Sequence, residues 1–170
     1  LQILRRTKYP AMASPVERNT NAEQLTRIVS RMAEVQGDHV SVIPQLSFHS
    51  RIRPVDSTHC IYNLGIGIIL QGEKEVVIGD QVYHCHEGQS MLTTIDLPVT
   101  SHIVQASAQK PFLAVLLLLD LQTVNQVAAE MPAEDFAISD AAHHSFSVES
   151  ADAPLIDARS EEHTSELQSR

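Results

Sequence analysis

Residues 70–99, LQGEKEVVIGDQVYHCHEGQSMLTTIDLPV, decide the fold. They read as two strands, a tight turn, a third strand and then a corner at Asp96-Leu97-Pro98-Val99. Residues 75–78 and 81–85 have strand character and flank Gly79-Asp80. A two-residue Gly-Asp loop suits a hairpin of type II′ or I′, because glycine takes positive φ without steric penalty. Gly88 makes the next turn and residues 90–95 the next strand. Small β-barrels present a ligand pocket through such a strand-turn-strand core with a polar-lined mouth.

Outward from that stretch the strand signal continues. Residues 39–43, 46–50 and 60–64 are short runs punctuated by Pro44 and Pro54. Residues 65–70 form a continuous apolar strand, and 102–106 and 111–119 complete a meander of short strands at regular spacing. A helix is expected on each side. The first opens at Thr20, where Thr-x-x-Glu to Glu23 is a capping box. Leu25, Ile28, Val29 and Met32 follow at helical spacing, and Gly37 is placed to end it. The second is capped by Asp120, carries Leu121, Val124, Val127, Ala128 and Met131 on one side, and stops before Pro132. Residues 133–150 read as a polar loop, and Leu155-Ile156 as the first turn of another helix.

Both ends are set aside from fold reasoning. Residues 159–170, RSEEHTSELQSR, look up to Ser169 like a translated sequencing adapter, so the natural protein is expected to continue past Ala158. Residues 1–11 precede Met12 and read as a non-native or disordered leader, with an apolar run too short for a signal peptide. Residues 12–158 are thus the expected domain, truncated at its C-terminal end.

Composition bounds the class. The chain has 170 residues, one domain by length, and 43% of them are hydrophobic, enough for a core. It contains no apolar run of membrane-spanning length. Its two cysteines, Cys60 and Cys85, form no CxxC pair, so neither a zinc site nor a disulfide framework is indicated, and two free thiols fit a reducing cytoplasm. The formal charge is −9 overall and −11 over residues 12–158, which hold seven basic and eighteen acidic side chains. An acidic surface repels a phosphate backbone, so this span does not itself hold DNA.

The motif order carries a resemblance. Gln71-Gly72, Gly79-Asp80-x-Val82-Tyr83, Gly88-Gln89 and Asp96-Leu97-Pro98-Val99 are each short, but their order and spacing are specific. With the flanking helices and strands they resemble the N-terminal effector domain of AraC-type transcriptional regulators, from about Ile43 to Met131 and again at 153–158. The resemblance implies a mainly β fold: a cupin-like barrel (a double-stranded β-helix, or jelly roll) with flanking α-helices. It implies a bacterial, cytoplasmic regulator that senses a small-molecule effector, with no enzymatic activity and no cofactor. DNA would be read only by a C-terminal pair of helix-turn-helix motifs, nothing like which follows Met131 here. A homodimer is expected by analogy with the family alone. The apolar stripe of the second helix would pack on a partner subunit or, more commonly, on its own barrel.

The candidates for ligand contact are Gln71, Tyr83, Thr94, Asp96 and His102. Tyr83 either points its hydroxyl into the cavity or, the better-supported reading, serves as a wall aromatic. Asp96 is read first as a residue that hydrogen-bonds its own turn. One enzyme-like constellation competes. His84 and His86 stand at i and i+2, on one strand face, with Tyr83 and Cys85 on the other. His102 supplies a third imidazole from a neighbouring strand. These three would serve a stand-alone metal-dependent cupin enzyme, a dioxygenase or isomerase. The pattern departs from metal cupins: Gly79 is one residue too close to His84, and Ser90 and Met91 stand where a glutamate belongs. No metal is therefore assigned. His143-His144 reads as a solvated loop pair.

Overall fold

A computed structural model describes residues 15–32, 36–130 and 145–151. The leader at 1–11, the tail at 159–170, His143-His144 and the helical turn at Leu155-Ile156 lie outside the described residues.

The chain runs α1 (Pro15–Met32), β1 (Gly37–Val40), β2 (Leu46–Arg51), β3 (Val55–Tyr62), β4 (Gly65–Gln71), β5 (Glu73–Ile78), β6 (Gln81–His86), β7 (Gln89–Thr93), β8 (Leu97–Gln105), β9 (Phe112–Leu118), α2 (Leu121–Glu130) and β10 (Phe146–Ser150). Among the described residues the strands form two antiparallel sheets, β1-β2-β9-β4-β7-β10 and β3-β8-β5-β6. Strands distant in sequence lie side by side, and the two sheets face each other. This is the expected mainly β, cupin-like double-sheet architecture.

Strand alternation divides the core into two layers. On one face of the six-stranded sheet Leu46, Phe48, Ile68, Leu70, Leu113 and Val115 pack against Leu25 and Val29 of α1. Burying the α1 leucine and valine is worth about 1.5–3 kcal/mol each, which fixes the helix on the sheet. Between the sheets lie Ile69, Val76, Cys85, Met91, Leu97, Val99, Phe112, Ala114 and Phe146.

The Gly79-Asp80 hairpin forms as expected. Gly79 has φ +57° while Asp80 stays out of the positive region, which excludes type I′. Gly88 turns between β6 and β7, and Asp120 caps α2: its carboxylate accepts from the Thr123 backbone N–H and hydroxyl, both at 2.8 Å.

Five expectations are corrected. α1 runs from Pro15, so Thr20 lies inside the helix and not at its start. Proline is at home in a first turn, where its missing N–H leaves no bond unmade. Gly37 opens β1 instead of closing the helix. β1 ends at Val40, short of 43, because the Ser41 hydroxyl takes the Ile43 N–H at 2.8 Å and turns the chain. Leu97-Pro98-Val99 is the start of a nine-residue strand, with the corner at 94–96. Pro98 fits there because β5 pairs β8 only as far as Thr100, so the proline needs no donor on that side. The polar stretch near 145 yields a fifth correction: β10, which adds to β7 and drives Phe146 between the sheets.

α2 carries its apolar stripe outward. None of its residues is buried, and Leu121, Val124 and Val127 are exposed. The stripe therefore does not pack on its own barrel among the described residues.

Candidate functional site

A cavity of about 420 Å³ lies between the sheets. It exists because the inward positions of β4 carry no side chain at two successive turns of the pleat. Gly65 and Gly67 face it, with Ala114 beside them on β9, while the bulky Ile66 and Ile68 point toward α1. Close-packed interiors do not leave such space unless small residues hold it open. Most of the wall is apolar: Val55, Ile103, Met91, Phe112, Leu116 and Leu118.

Two polar groups interrupt that wall. At one end Asp38, His49 and Arg51 meet across the β1–β2 ladder, where Asp38 and His49 are directly opposed. The Asp38 carboxylate accepts from Arg51 at 2.7 Å and pairs with His49 Nδ1 at 2.8 Å. Burial works against its ionisation, but the Arg51 and His49 hydrogen bonds outweigh that and hold its pKa below the usual carboxylate value. Burial depresses the pKa of His49 despite the neighbouring carboxylate. The Asp38 side chain is 61% exposed, so this end is the mouth. His49 Nε2 is also 3.3 Å from Ser47 Oγ, which links acid, imidazole and hydroxyl in the order of a hydrolytic triad. Ser47 lies outside the cavity lining.

The second group is deeper. Lys74, on the inward face of β5 in phase with Val76 and Ile78, donates through Nζ to the Tyr62 hydroxyl at 2.5 Å and sits 5.0 Å from the Tyr62 ring centroid. Tyr62 in turn donates to Ser101 Oγ at 3.1 Å. All three residues line the cavity. Lys74 makes no ion pair with a carboxylate among the described residues: Glu73 and Glu75 beside it point outward, to His86 at 3.5 Å and to His84 and His102 at 3.1 and 3.3 Å.

The residues expected from the sequence are distributed differently. His102 is among the lining residues, but its imidazole pairs with Glu75 on the outer face. Gln71 braces the chain by donating to the Pro111 carbonyl at 2.6 Å. Tyr83 is a wall residue, edge-on to Phe146 at 4.9 Å, its hydroxyl bonded to Gln81. Thr94 donates to the Ser145 carbonyl. Asp96 accepts from Asn63 across the barrel rim at 3.1 Å, where a bond within its own turn was expected. Gln71, Tyr83, Thr94 and Asp96 thus lie outside the lining. His84 and His86 are exposed, on the face opposite Tyr83 and the buried Cys85, as strand parity requires. With His102 they form a cross-strand ladder with Glu73 and Glu75, and no group of three or more His, Cys, Asp or Glu among the described residues is arranged to hold a metal. The metal-cupin alternative gains no support from this placement. Cys60 and Cys85 are free thiols, and burial raises both pKa values, that of Cys85 to about 11.

Lys74 and the Asp38–His49–Arg51 cluster were not anticipated. Lys74 carried a legible signal: in the Lys74-x-Val76-x-Ile78 alternation it occupies a core-facing phase.

A two-sheet β container with a walled cavity opening to solvent is an architecture that can hold a small molecule. The family described as AraC-type transcriptional regulator N-terminus matches residues 42–160, and the chain belongs to it, as a regulatory, effector-binding domain. None of the curated proteins matches the chain. Among solved structures it is similar to apo ToxT from Vibrio cholerae, a lysine-to-alanine variant, with 14% identity over 70% of this chain and 46% of that one, TM-score 0.49. It is also similar to wild-type ToxT bound to an unsaturated fatty acid (11% identity, 67% and 44% covered, TM-score 0.41). A third is a cupin-2 domain protein from Shewanella frigidimarina (9% identity, 59% and 98% covered, TM-score 0.36). The chain spans less than half the length of the ToxT chains it matches. No helix among the described residues is long and apolar enough to cross a membrane.

Proposed function

We propose that the inter-sheet cavity is the effector site of a bacterial, cytoplasmic AraC-type regulator. A small molecule held there contacts both sheets at once and so biases their relative packing, which is the differential interaction that a regulatory ligand must make. DNA contacts belong to another part of the regulator, consistent with the acidic balance of this span. Any homodimer is inferred from the family. The observation that carries the reading is the pair of inward glycines: Gly65 and Gly67 keep open a space that a packed core would fill.

Gly67→Leu tests it. A Cβ at Gly67 would meet the Met91 methyl at 2.8 Å, the far end of a flexible side chain, so the variant can fold with its cavity filled. Nile red, a neutral apolar dye, is expected to bind the 170-residue protein at one site and to lose that site in Gly67→Leu with the circular dichroism unchanged. Dye binding that survives the substitution, or none in the parent protein, overturns the assignment.

A further inference from the structure

We infer that the cavity selects a small organic carboxylate with an apolar body, and that Lys74, Tyr62 and Ser101 are the residues that read the carboxylate. The inference rests on the cavity being the effector site and adds the chemical class of what enters it.

The first argument is a count of hydrogens. An ammonium has three donors and no acceptor. One Lys74 donor goes to the Tyr62 oxygen, and the Tyr62 proton goes to Ser101 Oγ. The chain runs in one direction, so two ammonium hydrogens and the Ser101 hydroxyl hydrogen remain to be donated. A constellation of surplus donors around one positive charge is complementary to an anion. It is poorly matched to a protonated amine, which brings only donors and a like charge.

The second argument is charge. At the mouth Asp38 already offsets Arg51. Lys74 has no such counter-charge among the described residues, and desolvating a cation without one is unfavourable. Its positive charge is felt across the site: it opposes protonation of His49 and favours ionisation of the Cys60 and Cys85 thiols, against the larger effect of their burial. A cationic spot inside a domain of net charge −9 is not a by-product of a basic surface. A carboxylate is the small anion that also suits the rest of the wall: Ile103, Met91, Phe112, Leu116 and Leu118 cannot solvate a polyanion such as a phosphate ester.

The experiment is calorimetric titration of the full chain with octanoate, and with octan-1-ol and octanamide as neutral counterparts of equal length. Octanoate is expected to bind and the neutral pair to bind at least about tenfold more weakly, the scale of one lost charge-assisted contact. Lys74→Met, which keeps the stem and removes the charge, should abolish the preference for acid over alcohol. Tyr62→Phe, which removes a single hydroxyl and leaves the ring, should reduce the preference and thereby guards against a folding defect in the lysine variant. Equal binding of acid and alcohol, or an acid preference that survives Lys74→Met, overturns the inference while leaving the cavity as the effector site. Failure of all three probes in a protein that binds Nile red also overturns it. Failure of Nile red as well removes the effector site itself.

Discussion

Gly65 and Gly67 share one face of β4, yet a methyl group at each meets different matter. At Gly65 it would lie 2.7 Å from the Leu117 carbonyl oxygen and 3.3 Å from the Leu118 Cα, both backbone of the neighbouring strand β9. At Gly67 the close neighbour is only the mobile end of Met91. Gly65→Ala must therefore push two paired strands apart and is expected to cost about 1–3 kcal/mol. Gly67→Ala should fall within about 1 kcal/mol of the parent, on either side, because alanine also narrows the unfolded ensemble. Urea unfolding of the two variants decides the matter, and equal losses would contradict it. The same residues explain why the cavity was hard to read from sequence. In the run from Gly65 to Leu70 a glycine that holds space open looks like any other member of a buried strand. Lys74, between Glu73 and Glu75, looks like part of a solvated charge run unless its phase with Val76 and Ile78 is followed. The histidines at 84 and 86 drew attention for their chemistry, although their phase points them outward.

The elements were legible where the signal was local. Residues 46–50, 65–70 and 81–85 were recovered within a residue because alternation and turn glycines act within a few positions. Pro98 and β10 were misread because their strand state depends on partners far along the chain, Ile61 and β7. The β1–β2 hairpin shows what such partners do. Among the described residues β1 pairs with β2 alone, and its side-chain tie is Asp38 held by His49 and Arg51. The pKa of His49 lies below its ordinary 6.5 in the folded protein, so the unfolded chain takes up this proton first as the pH falls. The contribution is fully present above 6.5 and is lost as pH falls toward the folded value. Asp38, whose folded pKa is below 3.8, adds a second loss at lower pH, as it becomes protonated. Urea midpoints measured from pH 7.5 down to about 5 should therefore decline, and His49→Gln, which can still donate to Asp38 but does not titrate, should show a shallower slope than the parent. Identical slopes would mean that His49 is not the group being titrated.

Across the whole molecule the strand order carries the argument. β2, β4, β7 and β9 belong to one sheet, β3, β5, β6 and β8 to the other, and the chain crosses between them repeatedly. This interleaving is invisible to any local reading, since it is set by register between strands far apart along the chain, as Phe48 and Val115 are. Neither sheet can be completed without most of the other, so the domain should melt in one step. Tyrosine is a natural reporter of that step, because Tyr62 and Tyr83 lie on one sheet and both approach Phe146 on the other, at 6.3 and 4.9 Å. Near-ultraviolet dichroism therefore follows the meeting of the sheets, while the far-ultraviolet signal follows the strands themselves. The two melting curves are expected to coincide. A ligand lodged between the sheets binds only the assembled form, so at about a hundredfold excess over its Kd it adds roughly 2.7 kcal/mol, a shift of roughly 5–10 °C for a domain of this size. Both signals should move together by that amount with octanoate, and by about half as much in Lys74→Met, whose affinity is expected to be about tenfold weaker. A tyrosine transition that precedes the far-ultraviolet one would mean that the sheets separate before they unravel, and the cavity would then be a loose interface instead of a built site.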